Sequence, residues 1–577
     1  MSPPEIDKPE SVGPWWASFT ADLPPRPAGL DRLPADSTDV VVVGSGVAGC
    51  TAALAAADAG ASVVVLEAGA AGGGTTFKSG GGTWIPNNSL MRGRGREDDR
   101  EETLRYMASI SFPDQFDPEA PRFGIDQRDF AQLESYFDHA AEAMDFLLDG
   151  RAAFREFQSY SGDYEGMVSY HSRQAEEWGR HLAPADPETG DQQLGDSLAL
   201  QLAAALGRAD IPLVVGHRVI DVLTDEDGGV VGVRASSVDG EIELRARHGV
   251  IFASGGFSQN PDLVQRWFRG PIYGTGAVPT NRGDFVAIAE GLGAELGNME
   301  NGWLAQLPIE MTRDGSVEFG HGSLVMMASG DSMLMVNRHG RRVVNEKEIY
   351  QERTEAHFER DAEGNLENEI LFLIFDDAVL NETRPWVIPW PAGTANEPYV
   401  IHGDTLVDLA AAIERRLAEV AELTGGIELA PEFGADLTTT VERFNDAARQ
   451  GRDEDFGRGE SLHEIDWNLP ARDEEQKNPL LHPLAATGPY HCVILGAATL
   501  DTNGGPRIDT EGRVLKPDGE PIAGLFGAGN CIASPAAAGY WSGGSTIGPA
   551  ITIGYLAGRA AAGVTDGEAA WVVDGGA

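Results

Sequence analysis

DVVVVGSGVAGCTAALAAADAGASVVVLE, residues 39–67, reads as a strand, a glycine turn, a helix and a second strand. The continuous β-branched run of residues 40–43 is typical of a strand that is buried on both faces. The alanine-rich helical pattern stops at Gly60, and glycine is common just past the end of a helix. A second β-branched run, residues 63–66, leads to Glu67. The segment therefore predicts a strand–helix–strand unit of an α/β domain.

Three glycines in the turn, Gly44, Gly46 and Gly49, have the spacing G-x-G-x-x-G. The first permits a tight turn, the second lets backbone approach a pyrophosphate, and the third lets the helix pack against the strand. Glu67 follows about 20 residues later, where an acid can bind a ribose hydroxyl. Because strand, helix and acid occur in order, we predict a dinucleotide site. The acid disfavours a 2′-phosphate and hence NADP, whereas the motif alone leaves FAD and NAD open.

The size and charge of the chain limit its architecture and its partners. With 577 residues the chain is long enough for two domains, and its formal net charge is -47. This charge disfavours nucleic acids and anionic membrane surfaces as partners. It mildly favours a neutral substrate, because an anionic one would approach through a repulsive field.

The cysteines and the N-terminus indicate a location. Cys50, Cys492 and Cys531 are far apart and form neither a disulfide framework nor a metal motif, so we expect no metal site and a reducing, cytoplasmic compartment. Residues 1–36 are expected to be an extension that packs on the surface or is loose, and they lack the basic and apolar regions of a signal peptide. No apolar run reaches transmembrane length, which leaves peripheral membrane contact open.

Glycine-rich stretches recur where predicted strands end. The first of them directly follows Glu67, so we expect it to contact the cofactor rather than to serve as a linker. A helix predicted near the C-terminus would direct its unpaired N–H groups at the same site. The glycine-rich stretches are residues 69–82, 254–256 and 527–530, and the helix is residues 545–562.

The middle of the chain has a different texture. Residues 298–487 carry strand-like pieces and helices but no phosphate-type glycine loop. We expect this segment to be an inserted catalytic domain, with residues 37–297 and 488–577 forming one discontinuous nucleotide domain. Helical spacing is predicted over residues 100–148, 197–206, 406–423 and 437–448.

From residue 39 to residue 562 the chain resembles the flavoprotein group that includes fumarate reductases and 3-ketosteroid Δ1-dehydrogenases. The features of the group are the fingerprint at Gly44, the GGGTT loop, the ASGGF turn at Ser254, and GLFGAGN before the last helix. Trp541 and Ser542 depart from the proline-glycine texture that the family usually has there. Patterns similar to the ketosteroid dehydrogenases in particular are SGGGTWIPNN, GDYEG, GRRVVNEKEIY, VERFNDAARQGRDEDFGRGE and GYWSGGSTIGPA.

The resemblance implies an α/β fold with a Rossmann-type FAD-binding domain and an inserted α+β catalytic domain. It also implies that the dinucleotide is FAD. The positions that match cofactor contacts of the family lie in the glycine turns, on one strand after them, and at the start of the last helix. They are Gly44, Ser45, Gly46, Ala48, Gly49, Glu67, Ala68, Gly74, Thr75, Thr76, Ser79, Gly80, Gly81, Val219, Ala253, Ser254, Gly255, Gly529, Asn530, Ser545 and Ile547.

The resemblance also implies four catalytic positions. Tyr350 takes the place of the general base that removes a proton from carbon 2 of a 3-ketosteroid. Tyr164 takes the place of a second tyrosine that assists this base, with Tyr160 and Tyr170 as competitors in the same segment. Tyr540 and the backbone N–H of Gly544 take the places that hold the ketone oxygen of the substrate.

These residue types suit the chemistry. Desaturation beside a ketone removes one hydrogen as a proton and the other as a hydride, which goes to flavin N5. The developing enolate oxygen needs hydrogen-bond donors placed in advance, and a phenol and a backbone N–H supply them without charge. A tyrosinate is a strong enough base, but with an ordinary pKa near ~10 it is scarce at neutral pH, so activity is expected to rise toward alkaline pH. The external electron acceptor is not identified by the sequence.

Three alternatives stay open. A fumarate-reductase-type enzyme would need arginines and a histidine to hold two carboxylates, and GYWSGGSTIG contains neither. Arg282, Arg341 and Arg342 are expected to have surface or structural roles. A related flavoprotein could oxidise a non-steroid cyclic ketone or run as an enone reductase, since ring size depends on pocket shape. A flavin-dependent binding or sensor protein would show no turnover with an artificial electron acceptor.

Overall fold

The structure is a computed structural model, and it describes residues 24–158, 179–312, 324–328, 330–381, 391, 394–468 and 477–564. The chain folds into two compact units. The larger unit consists of Pro25–Ala305, His357–Glu369 and Ala497–Ala577, and the smaller unit contains Gln306–Ala356 and Ile370–Gly496. The domain boundaries expected at residues 298 and 488 stay predictions.

The helices and strands are numbered along the whole chain. The helices are α1 Val47–Asp58, α2 Ser89–Gly93, α3 Arg100–Ser111, α4 Gln127–Leu148, α5 Gly195–Arg208, α6 Pro261–Trp267, α7 Asp284–Gly291, α8 Tyr350–Glu355, α9 Asp377–Leu380, α10 Leu406–Glu419, α11 Phe433–Gln450, α12 Leu462–Asn468 and α13 Ile547–Ala561. The first strands are β1 Ser37–Val43, β2 Val63–Leu66, β3 Thr83–Trp84, β4 Phe154–Glu156, β5 His181–Pro184, β6 Leu213–Val214, β7 Arg218–Thr224, β8 Val230–Ser237, β9 Gly240–Phe252 and β10 Gly274–Thr275. The remaining strands are β11 Leu296–Gly297, β12 Gly302–Pro308, β13 Met333–Val336, β14 Ile370–Asp376, β15 Ile401–Gly403, β16 Tyr490–Thr502, β17 Gly505–Pro506, β18 Arg513–Leu515 and β19 Pro521–Gly527.

A largely parallel sheet forms the centre of the larger unit. Its strand order is β18-β19-β9-β1-β2-β6, and β7 and β8 extend it from β9. β1 runs parallel to both β2 and β9, with Val41 opposite Val64 and Val250. The valines of residues 40–42 are fully buried, as the continuous β-branched run predicts for a central strand.

Helices α1 and α13 pack closely against each other in the larger unit. A Cβ on Gly554 would lie 2.6 Å from the carbonyl oxygen of Ala48, and one on Gly558 would lie 2.9 Å from the Cβ of Ala55. Glycine in the last helix therefore permits the close approach of the two helix backbones. The last helix thereby comes to lie beside the helix that follows the glycine turn.

One helical prediction was wrong in extent. Residues 100–148 form two helices, because α3 ends at Ser111 and α4 begins at Gln127. Pro113, Pro118 and Pro121 lie between them, and proline removes a backbone donor and clashes with the preceding turn. The Asp126 carboxylate caps α4 by accepting a hydrogen bond from the N–H of Arg128 at 2.9 Å.

The smaller unit has a sheet of its own. β14 pairs antiparallel with β13 on one side and with β16 on the other, at residues 490–496, and β15 also pairs with this part of β16. Every residue of β14 is buried. Helices α10 and α11 carry one buried face each, with Leu409, Ile413 and Leu437 fully buried. Among the described residues, no helix is both long and apolar enough to cross a membrane.

Candidate active site

The glycine turn between β1 and α1 is tight for steric reasons. Gly44 has φ 105°, and a Cβ there would lie 2.8 Å from the carbonyl carbon of Ala253. A Cβ on Gly49 would lie 3.0 Å from the carbonyl carbon of Gly44. The first and third glycines are thus required by close backbone contacts. The first of these contacts brings Ala253 and Ser254, at the end of β9, to the turn.

The glycine-rich loop after Glu67 lies against this turn. The N–H of Gly73 donates to the Ser45 hydroxyl at 3.0 Å, and the N–H of Val47 donates to the Thr76 hydroxyl at 3.0 Å. By contrast, a Cβ on Gly46 would meet nothing nearer than Thr76 Oγ1 at 3.5 Å. A Cβ on Gly80 would meet nothing within 4 Å. The two motifs therefore form one cradle that is open at Gly46.

Glu67 lies at the end of β2 with its carboxylate turned to the glycine turn. One carboxylate oxygen accepts hydrogen bonds from the N–H of Ser45 at 3.1 Å and from its hydroxyl at 2.5 Å. The other oxygen accepts from the N–H of Gly69 at 2.7 Å. These contacts orient an acidic acceptor beside the phosphate-type turn, as a ribose-binding acid requires. Further along, the N–H of His217 donates to the Glu67 carbonyl at 2.9 Å, and Val219 follows two residues later in β7.

Asp501 is a buried carboxylate outside the predicted cofactor positions. It accepts hydrogen bonds from the N–H of Gly256 at 2.8 Å, the hydroxyl of Ser258 at 2.8 Å and the amide of Asn281 at 2.7 Å. The amide of Asn530 donates to it at 3.3 Å. Burial raises the pKa of Asp501, whereas these donors lower it. The carboxylate therefore joins the glycine turn after β9 to Asn530.

A sequence signal for Asp501 exists. It stands in LDTNGG, where the long apolar run of β16 changes to polar residues and glycines, as at the other strand ends of the site. Asn281 lacks such a signal, because only the fold brings it to Asp501. The hydroxyl of Thr75 also accepts from the N–H of Val278 at 3.2 Å, so the loop of residues 278–281 adjoins the predicted cofactor cradle.

The third glycine stretch also reaches the cradle. A Cβ on Gly529 would lie 3.0 Å from the Cβ of Ala48 in the first turn of α1. The side-chain oxygen of Asn530 accepts a hydrogen bond from the indole of Trp303 at 3.0 Å. The Trp303 ring in turn contacts the Tyr540 ring edge-on, with centroids 5.7 Å apart. Contacts within the larger unit thus lead from the predicted cofactor positions to a predicted catalytic tyrosine.

The turn before α13 is rigidly held. Tyr540 is 3% exposed, and Gly544 has φ 98° and accepts a hydrogen bond from the N–H of Trp84 at 3.2 Å. A Cβ on Gly544 would lie 2.5 Å from Trp84 N, so this position requires glycine. The Ser545 hydroxyl accepts from the N–H of Ser542 at 3.0 Å and donates to its carbonyl at 2.8 Å. Ile547 is the first residue of α13.

Trp541 explains how the departure from the family texture is accommodated. Its side chain is fully buried and stacks on the Tyr136 ring, with centroids 5.1 Å apart. The ring centroid of Trp84 lies 5.4 Å from that of Trp541. The indole N–H of Trp541 donates to the Ser111 hydroxyl at 2.8 Å. The residue after Tyr540 is therefore part of the core of the larger unit.

Tyr350 lies in the smaller unit as the first residue of α8. It is 4% exposed, and its ring centroid lies 6.2 Å from that of Trp467 on α12. Tyr350 and Tyr540 thus belong to different units. Tyr164, with its competitors Tyr160 and Tyr170, lies outside the described residues.

Buried arginines of the smaller unit are held by protein acceptors. Arg353 donates to the side-chain oxygen of Gln306 at 2.8 Å and to three carbonyl oxygens, those of Val325, Glu346 and Glu348. Arg342 pairs with Glu346 at 2.7 Å and with Asp453 at 2.8 Å, and Arg458 pairs with Glu346 at 3.0 Å. Arg341 is paired with Asp436 at the surface, and Arg282 is exposed. All five have contacts or positions that fit structural or surface roles.

Cys50, Cys492 and Cys531 are all buried free thiols. Within the described ranges no group of three or more His, Cys, Asp or Glu side chains is arranged to hold a metal ion.

Comparison with known proteins identifies the family. A family model described as an FAD binding domain matches residues 39–547, and the chain belongs to this family. It is an FAD-dependent oxidoreductase of the branch that contains ketosteroid and oxocyclohexanecarboxylate dehydrogenases. The cradle of Gly44, Gly46, Glu67 and Thr76 fits this cofactor, because a Cβ on Gly46 would meet only the Thr76 hydroxyl within 4 Å and the acid beside it is oriented by hydrogen bonds.

Two curated relatives cover nearly the whole chain. A 4-oxocyclohexanecarboxylate 2-dehydrogenase of Sinomonas cyclohexanicum is 33% identical over 94% of this chain and 96% of that protein. A 3-oxosteroid 1-dehydrogenase of Mycolicibacterium smegmatis is 31% identical over 90% of this chain and 96% of that protein. Among solved structures, the 3-ketosteroid Δ1-dehydrogenase of Sterolibacterium denitrificans matches the fold with a TM-score of 0.74 and 23% identity, over 92% of this chain and 100% of that one.

Proposed function

We propose that this enzyme desaturates the carbon–carbon bond beside a ring ketone, with a 3-oxosteroid as substrate and the carbon 1–carbon 2 bond as the site of reaction. The similarity to two dehydrogenases of ring ketones over at least 90% of the chain carries the proposal. Tyr350, Tyr540 and Gly544 stand at the motif positions that such a reaction uses. The burial of both tyrosines supports the proposal, since a catalytic base and a ketone-binding phenol work best away from water.

Each residue has a defined task in the proposed reaction. Tyr350, as the phenolate, takes the proton from the carbon next to the ketone, and Tyr164 assists its ionisation. The Tyr540 hydroxyl and the Gly544 N–H donate hydrogen bonds to the ketone oxygen, where negative charge develops. Bound FAD supplies the acceptor for the hydride. Gly544 suits its task because the hydrogen bond from Trp84 and the close contact with β3 hold its backbone in place.

A cyclic oxo acid is the second candidate substrate. The relative with 33% identity is named for 4-oxocyclohexanecarboxylate, and the reaction beside the ketone would be the same. The two candidates differ in ring number and in charge. The net charge of -47 supports the neutral steroid, because it repels a carboxylate at long range.

A fumarate-type reaction has less support. A fumarate reductase (cytochrome) of Shewanella frigidimarina is 26% identical over 95% of this chain. A dicarboxylate substrate needs free guanidinium groups in its site. Arg342, Arg353 and Arg458 already donate to protein acceptors in the smaller unit.

Turnover of matched substrates tests the proposal. Purified holoenzyme is given androst-4-ene-3,17-dione or 4-oxocyclohexanecarboxylate with an oxidised dye, and separately fumarate with a reduced dye. We expect dye reduction with a ring ketone, and the steroid to have the higher kcat/KM. Turnover of fumarate with neither ketone oxidised would refute the proposal. A higher kcat/KM for the oxo acid than for the steroid would show that the second candidate is the preferred substrate.

A further inference from the structure

The segment Arg26–Leu30 is attached to the dinucleotide cradle. Leu30 donates its N–H to the Leu213 carbonyl at 2.7 Å and accepts from the N–H of Val215 at 2.8 Å, so it pairs with the sheet edge at β6. The Pro27 carbonyl accepts from the N–H of Gly72 at 2.8 Å. The segment is therefore fixed at one end to the sheet and at the other to the glycine-rich loop.

Arg26 lies at the loop end of this segment. Its guanidinium carbon is 5.0 Å from the ring centroid of Phe77, which is 2% exposed. Phe77 belongs to the helical turn Gly74–Lys78, which also carries Thr75 and Thr76. Half-burial lowers the pKa of Arg26, and the neighbouring Glu67 carboxylate acts in the opposite direction. A Cβ on Gly72 would lie 3.5 Å from Pro27 Cβ and 3.4 Å from the hydroxyl oxygen of Ser45, which donates to Glu67, so the segment adjoins the acid that is expected to bind the ribose.

Among the described residues, no acceptor takes up the donors of Arg26. In the part of the chain that the structure describes, its guanidinium has the ring contact with Phe77 but neither a hydrogen bond nor an ion pair. The Glu67 oxygens accept from Ser45 and Gly69 instead. These donors can therefore bind the acceptor oxygens of a ligand that lies beside the glycine-rich loop.

We propose that Arg26, which lies outside the glycine fingerprint, binds the adenosine diphosphate half of FAD. That half offers ribose hydroxyls, ring nitrogens and a pyrophosphate, and a guanidinium binds phosphate oxygens in pairs and stacks on planar rings. Through Arg26 the segment before β1 becomes part of the cofactor site. Its anchoring by Pro27 and Leu30 holds the arginine in place.

FAD release from the holoenzyme tests the proposal. Arg26→Met keeps an apolar stem on Phe77 and removes all donors, Arg26→Lys keeps the charge, and Arg32→Met is a control at an exposed arginine that follows the same segment. Loss of a charge-assisted hydrogen bond predicts a rise of about tenfold or more in the FAD dissociation constant for Arg26→Met. We expect a smaller rise for Arg26→Lys and none for Arg32→Met, measured by the fluorescence of released FAD.

Two further measurements separate cofactor binding from a structural role. Binding of ADP to the apoprotein, followed by calorimetry, should weaken by the same factor as FAD binding, and the apoprotein of Arg26→Met should keep its thermal midpoint. Unchanged FAD release would overturn the proposal. A loss of apoprotein stability without a selective loss of FAD and ADP binding would also overturn it, and would show that Arg26 only packs on Phe77. FAD weakened with ADP unaffected would also overturn the proposal. If Arg26→Met does not fold, FAD release and ADP binding are measured with Arg26→Lys, for which a smaller loss of both is expected.

Discussion

Single residues connect the core of the larger unit to the proposed ketone-binding turn. Trp541 lies between Tyr540 and Gly544 in the sequence, yet its ring is buried among Trp84 and Tyr136. The Tyr106 hydroxyl donates to the Trp541 carbonyl, and the Trp541 indole donates to Ser111. The ring therefore fixes the backbone on which both proposed donors depend.

Trp541→Phe should lower turnover of the ketone while FAD stays bound. The smaller ring loses the hydrogen bond to Ser111 and part of the stacking with Tyr136, so the turn shifts. Because displacement of a catalytic group by about 1 Å can cost on the order of 10²-fold, we expect kcat to fall by about tenfold to a hundredfold. Steady-state kinetics and flavin content measure this.

Trp267→Phe is the matched control, since Trp267 is a partly buried tryptophan on α6 of the same unit. It should leave kcat within about a factor of two, because substitutions at partly exposed positions away from the site and its supporting hydrogen bonds usually have small effects. A Trp541→Phe enzyme with normal kcat would remove Trp541 from the positioning role.

The residues show what the sequence could and could not predict. Gly44 and Gly49 were predicted from spacing, because the constraint on each is a contact with backbone of a recurring local unit. Asp501 and Asn281 were missed, because their hydrogen bonds join segments 220 residues apart. The core position of Trp541 depends on stacking with Tyr136, which lies far earlier in the chain.

At the scale of elements, a buried charge network joins two sequence motifs of the smaller unit. GRRVVNEKEIY contributes Arg342 and Glu346, and RDEDFGRGE contributes Asp453 and Arg458. The Arg458 side chain also donates to the carbonyl of Met333 in β13 at 2.7 Å. The network fixes the segment that ends at Tyr350. The residues that these two motifs share with the ketosteroid dehydrogenases therefore serve in part to stabilise the fold.

This network predicts acid sensitivity. Burial would raise the pKa of Glu346, but Arg342, Arg458 and the N–H of Met335 hold it below its ordinary value of 4.5. A carboxyl whose pKa is lowered by folding stabilises the fold above that ordinary value, and the contribution is lost as pH falls through the folded pKa. The stability of the smaller unit should therefore decline below about pH 4.5.

Glu346→Gln tests the network. It removes the carboxylate that pairs with the fully buried Arg458, whereas Arg342 keeps its pair with Asp453, and breaking a buried pair in this way typically costs about 3–5 kcal/mol. We expect a large fall in the urea midpoint at pH 7 and a weaker dependence on acid than in the wild type. Glu414→Gln, at an exposed position on α10, should behave as the wild type. Equal midpoints for Glu346→Gln and wild type would show that the network does not stabilise the unit.

Elements were predicted where one local pattern decides them. β1, α1 and β2 follow the pattern of residues 39–67 closely. The break between α3 and α4 was missed, although Pro113, Pro118 and Pro121 signal it, because helical spacing was given more weight than proline. The charge network could not be predicted, since pairing of Arg342 with Asp453 depends on tertiary contacts 111 residues apart.

At the scale of the whole molecule, the chain combines a dinucleotide unit from both chain ends with a unit formed largely by the middle of the chain. The family match over residues 39–547 spans both units, so the two belong to one enzyme type. The fold class and FAD were predicted from the fingerprint and the resemblance, and both are confirmed. The substrate depends on pocket shape, which motif spacing does not encode.

The most direct test is anaerobic reduction of the bound flavin by a ring ketone in wild type and in Tyr350→Phe, with Tyr399→Phe as the control at another buried tyrosine of the smaller unit. The wild type should lose its flavin colour on mixing with androst-4-ene-3,17-dione, faster at alkaline than at neutral pH. Tyr350→Phe should retain FAD but reduce it at least about 10²-fold more slowly, as expected for loss of a general base. Flavin reduction by Tyr350→Phe at the wild-type rate would contradict the account.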